Sequence, residues 1–93
     1  MNKENNQWQL LVLLLKEIAT EKSITQEMIA RRTGLIQSNI SRIFALKYRP
    51  TLDTYMKLAE ALEVNVEVVD KEDKVNMDAC FFRAKTTLEN ESV

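Results

Sequence analysis

Gln37, Ser38, Asn39, Ser41 and Arg42 place two amides, two hydroxyls and a guanidinium within six positions, and Lys47, Tyr48 and Arg49 follow closely. These groups donate and accept hydrogen bonds and carry fixed positive charge, but none is a base near neutral pH. They suit recognition rather than bond making. The rest of the chain agrees: it has no histidine and a single glycine, so no Gly-rich phosphate loop, and no Ser or Cys stands beside a base at a nucleophile's spacing. No enzyme activity is expected. With Cys80 the only cysteine, neither a disulfide within one chain nor a Cys/His zinc site can be assembled, and no metal or cofactor is expected. Beside Phe81 and Phe82, Cys80 reads as a small apolar side chain.

Charge is distributed unevenly. The net charge of −1 argues against a protein that coats nucleic acid or anionic membrane with its whole surface. Yet residues 28–52 hold Arg31, Arg32, Arg42, Lys47 and Arg49 with no acid, a local +5 against −6 for the remainder. The positive charge is gathered where the hydrogen-bonding groups are.

These groups need elements to position them. Length allows one domain with a modest core, and 45% apolar residues with one Gly and one Pro predict a mainly helical chain. A first helix is expected from Asn6 to Glu21, with Trp8, Leu11, Val12, Leu15, Ile18 and Ala19 spaced three or four apart. Leu10, Leu13 and Leu14 spill beyond that face, which calls for enclosure by other helices or for a partner. The run Leu10 to Leu15 is far short of the roughly 18 residues of a membrane span, and it lacks a signal-peptide cleavage site, so a cytoplasmic protein is expected.

Ser23 or Thr25 can cap a second helix, Ser23 with Gln26 having capping-box spacing, and Gly34 ends it. Beyond the turn Gly34-Leu35-Ile36, the apolar stripe Ile40, Ile43 and Phe44 predicts a third helix over 37–45. At 100° per residue, Ser38, Arg42 and Ala45 fall opposite that stripe, with Gln37 and Asn39 near the start. Pro50 interrupts, Thr51 caps, and Leu52, Tyr55, Met56, Ala59 and Leu62 form the expected buried stripe of a fourth helix to Leu62, with Leu58 also in the core. Val64, Val66 and Val68 alternate as in a strand. Residues 77–88 fit a helix, while Ala79 to Lys85 fit a second strand equally well; residues 89–93 are expected to fray.

Two short helices joined by a three-residue turn, the second with a basic and amide-rich outer face, form the arrangement that sets a helix in the DNA major groove. The residues also carry a family resemblance. Thr25-Gln26-Glu27-Met28-Ile29-Ala30-Arg31-Arg32-Thr33-Gly34-Leu35-Ile36-Gln37-Ser38-Asn39-Ile40-Ser41-Arg42-Ile43, then Pro50 and Leu58-Ala59-Glu60-Ala61-Leu62, resembles the XRE family of lambda-repressor and Cro-like regulators over about 40 of 93 residues. The resemblance implies a lambda-repressor-like helical bundle with a helix-turn-helix, plus a short C-terminal β or α extension.

By position, it implies that Gln37, Ser38 and Arg42 read bases. It further implies a base contact for Asn39 and a base or phosphate contact for Ser41. The resemblance likewise implies that Gln26 bonds a phosphate and that Lys47, Tyr48 and Arg49 lie along the DNA backbone. The chain departs from the family in Ile36, where a small polar residue is common, and in Phe44 and Leu46, where Glu and Gly are common.

The expected organisation is a helix-turn-helix domain over residues 1–69, with the motif at 25–45, and a C-terminal extension over 70–93 that is a candidate dimerisation element. Expected partners are double-stranded DNA and a second copy, joined through the strand candidate near Val64 to Val69 or through the leucine-rich first helix. An antitoxin that binds both its operator and a toxin protein is the alternative, motivated by the acidic segment beyond Val64.

Overall fold

The structure, a computed structural model, describes residues 6–91. It is built from α1 (Asn6–Glu21), α2 (Gln26–Thr33), α3 (Gln37–Phe44), α4 (Leu52–Ala61) and α5 (Met77–Glu91). Among the described residues no strand forms, and none of the helices is long and apolar enough to cross a membrane. The frayed end expected for residues 92–93 lies outside the described residues, and 89–91 complete α5.

The core lies entirely within the first four helices. Val12, Leu15 and Ala19 of α1 meet Ile29 of α2, Ile40, Ile43 and Phe44 of α3, and Tyr55, Leu58, Ala59, Ala61 and Leu62 at α4. α2 packs on α3 and α4, and α1 packs across the same two helices. Each fully buried Ile, Leu or Val contributes about 1.5–3 kcal/mol, so α3 is held mainly by its inner face rather than by helix propensity over eight residues. Tyr55 adds a polar tie: its hydroxyl donates to the Leu11 carbonyl at 2.9 Å, and burial raises its pKa.

Each of the first four helices ends on a left-handed residue, although only one of these is glycine. Gly34, at φ 78°, donates its amide to Ala30 and closes α2. Ser23, Leu46 and Glu63 adopt φ of 57°, 62° and 60°. At each of these three, the left-handed amide bonds the carbonyl three residues back and the following amide bonds the one five back, as in Leu46 to Ile43 and Lys47 to Arg42. Left-handed backbone strains a residue with a Cβ by about 1–2 kcal/mol, and the packed Ile24, Leu46 and Val64 oppose that strain.

Several expectations change. Thr25 caps α2 by accepting from the Met28 amide, while Ser23 is committed to the end of α1, so the Ser23–Gln26 capping box does not form. Leu52 is 76% exposed and Met56 is also exposed; Leu58 is buried as expected, and Ala61 is buried with it. Leu10, Leu11, Leu13 and Leu14 stay exposed because α3 and α4 cover only one side of α1.

The strand expected at Val64, Val66 and Val68 does not form. A strand needs a ladder partner, and the only candidate, residues 79–85, is helical. Val64 alone packs on the core, leaving Val66, Val68 and Val69 exposed. A turn built on Asp70 follows, and the Asn76 side chain accepts from the Ala79 amide to cap α5.

Candidate nucleic-acid interface

The site is held by a short turn with few degrees of freedom. The Thr33 hydroxyl donates to the Ile29 carbonyl at 2.8 Å and accepts from the Leu35 amide at 3.1 Å. Gly34 turns the chain and Leu35 packs against the core, so α3 leaves the turn in one direction. Ile40, Ile43 and Phe44 then fix its rotation, because all three are buried along one side.

That rotation turns the groups expected to contact DNA outward. Gln37, Ser38, Ser41 and Arg42 are exposed and Asn39 is half-buried. Lys47, Tyr48 and Arg49 are exposed in the loop after α3, Tyr48 by 52%. Gln26, the first residue of α2, is half-buried. Among the described residues none of these side chains makes a hydrogen bond or ion pair within the chain, so their bonding capacity is turned to solvent.

The start of α3 adds main-chain donors. Its N-cap, Ile36, supplies no side-chain acceptor, so the Gln37 and Ser38 amides are left without an intrahelical partner beside a positive helix end. Ile36 itself is 66% exposed and sets an apolar group next to the polar run. In the sequence it stands out only as a departure from the family's pattern. The signal for its exposure is its place outside the Ile40, Ile43, Phe44 stripe, which leaves it nothing to pack on.

Two cations near the turn have other work. Arg32 donates from Nη1 to the Ala61 carbonyl at 2.7 Å, and Lys22 donates from Nζ to the Leu62 carbonyl at 2.7 Å. Both satisfy carbonyls at the negative end of α4, where cations are stabilising, and they lock α2 and the end of α1 onto α4. Arg31 lies 3.9 Å from Glu27 in an exposed pair of little energetic weight. The cations left at the outer face of α3 and its loop are Arg42, Lys47 and Arg49.

A helix braced on one side carries amides, hydroxyls and a guanidinium on the other and cations beyond its end, groups of the kinds that bond base edges and phosphates. A helix-turn-helix family model matches residues 15–69, which takes in α2, α3, α4 and the last turns of α1 but none of α5. No curated protein and no solved structure matches the chain. The chain therefore belongs to the helix-turn-helix family of XRE-type DNA-binding proteins.

Proposed function

We propose that this protein is a sequence-specific transcriptional regulator that lays α3 in the major groove and acts as a homodimer on two half-sites about one helical turn apart. The observation that carries the reading is the division of α3: three apolar side chains buried on one side, and Gln37, Ser38 and Arg42 outward with no partner among the described residues. Gln37 offers a bidentate amide to adenine and Arg42 a guanidinium to the O6 and N7 of guanine, each discriminating by about 1–3 kcal/mol. Ser38 and Asn39 complete the base contacts, and Ile36 offers an apolar surface to a thymine methyl group. Gln26, Ser41, Lys47, Tyr48 and Arg49 bind phosphates and set the register.

The test begins by selecting bound duplexes from a random pool and measuring affinity against salt. Arg42→Ala relaxes the preference at one base pair of each half-site. Lys47→Ala weakens all sequences alike and lowers the log–log salt slope by about 0.9 for each phosphate it no longer neutralises. Equal losses on the selected site and on random duplex for both variants would overturn the roles assigned.

A second reading, an antitoxin that also regulates its own operon, is favoured by the acidic, apolar surface beyond the core: Glu63, Glu67, Val66, Val68 and Val69 are all exposed. A basic toxin encoded beside this gene and copurifying with the protein is its expected signature; a lone gene counts against it.

A further inference from the structure

α5 lies beyond the matched segment and packs against none of α1–α4. An isolated helix of about 15 residues is marginal in water, so its apolar side gains from cover. Met77, Phe81, Ala84 and Leu88 recur at spacings of four, three and four. This is the repeat of a coiled-coil seam, and at 100° per residue it confines the four side chains to an arc of about 60°. Phe81 and Leu88 are 69% and 70% exposed, and α5 buries no residue. Phe81 also borders a groove of 730 Å³ shared with Met56, Ala59, Val64 and Val66, which continues the apolar surface onto α4.

We propose that α5 pairs antiparallel with α5 of a second copy of this chain along the Met77, Phe81, Ala84, Leu88 seam. Charge and size choose the occupant and its direction. With the twofold axis between positions 82 and 83, Phe81 faces Ala84 of the second copy and Met77 faces its Leu88, so large meets small at the centre. Asp78 and Lys85 lie on the same flank of the seam, and this arrangement sets each copy's Asp78 against the other's Lys85. In-register parallel pairing puts Lys85 beside Cys80 and leaves both charges without an opposite. Both residues are exposed and free to reach across.

Sedimentation equilibrium of the full chain without DNA tests this separately from the reading of α3. The wild type shows a monomer–dimer equilibrium. Lys85→Asp and Asp78→Lys each weaken it roughly tenfold, since symmetry reverses both pairs at once. Mixing the two variants, or combining both changes in one chain, restores dimerisation. A wild type that stays monomeric at about 0.5 mM overturns the proposal. So does a dimer indifferent to both charges, as expected if the exposed leucines of α1 form the contact, and so does a loss that neither mixing nor recombination rescues.

Discussion

α3 and α5 both present a long exposed face, but they differ in what stands behind it. α3, with eight residues, buries Ile40, Ile43 and Phe44; α5, with fifteen, buries none. The exposed side of α3 is polar and held at a fixed rotation, so it can offer hydrogen bonds in a defined geometry to a rigid polyanion. The exposed side of α5 is apolar and packs on none of α1–α4, so water is a poor environment for it and another protein surface a better one. Exposure thus has opposite meanings in the two helices, decided by side-chain type and by bracing.

The most forceful way to break this contrast is to remove a large apolar side chain from each. Ile40→Ala leaves a cavity beneath α3 and is expected to lower stability by about 3 kcal/mol. Phe81→Ala, read at concentrations where the chain is monomeric, is expected to change it by less than about 0.5 kcal/mol. Urea denaturation followed by circular dichroism compares the two. Equal losses would mean that α5 belongs to the same cooperative unit as α3.

Next in size is a contrast between two arginines of the basic window. Arg32→Ala removes a charged donor from the Ala61 carbonyl and is expected to cost about 1–2 kcal/mol of stability, with sequence preference on DNA unchanged. Arg42→Ala breaks no bond among the described residues, so it is expected to leave the melting temperature in place while altering preference. Paired thermal melts and duplex competition separate them. The opposite pattern would exchange their roles.

A smaller effect probes how α3 and α4 are ended. Glu63 is left-handed and exposed, so Glu63→Gly relieves backbone strain at no expense in packing and is expected to stabilise by about 0.5–1 kcal/mol. Leu46 is equally left-handed but packs on the core, and Leu46→Gly is expected to come out near zero because reduced burial offsets the relief. A melting shift for Leu46→Gly as large as that for Glu63→Gly would show that the packing of Leu46 contributes little.

The four core helices are legible in the sequence because local signals and burial agree there. Thr25, Gly34 and Thr51 act at the boundaries their types imply, and Ile40, Ile43, Leu58 and Leu62 are buried as expected. The outward face of α3 follows from the same periodicity. Legibility fails where an outcome depends on a partner at a distance. Val64, Val66 and Val68 have the alternation of a strand, but alternation cannot supply a neighbouring strand. Arg32 has the surroundings of a solvated face, because a carbonyl 29 residues away leaves no trace in local pattern. Leu52 and Met56 have helical spacing, yet how far the core extends past α4 is a property of the assembled bundle.

The subtlest distinction lies at the joint between the two regions, which is ordered by one carboxylate rather than by burial. Asp70 accepts from the Glu72 amide at 3.1 Å, the Lys74 amide at 2.9 Å and the Val75 amide at 3.0 Å. These bonds, that to Lys74 foremost, lower its pKa below the ordinary 3.8. A group lowered in the folded state contributes its order above the unfolded value and loses it as pH falls through the folded one. Amide exchange, corrected for intrinsic rates, is therefore expected to show Glu72, Lys74 and Val75 protected at pH above 3.8 and released in more acidic solution, while Ile40 keeps its protection through that step. Asp70→Asn weakens the same amides at neutral pH, because a neutral oxygen accepts less strongly and its amide nitrogen cannot accept. Unchanged protection at 72, 74 and 75 in acid would mean that the joint is held by its surroundings, and that α5 is tied to the core more firmly than its lack of buried residues implies.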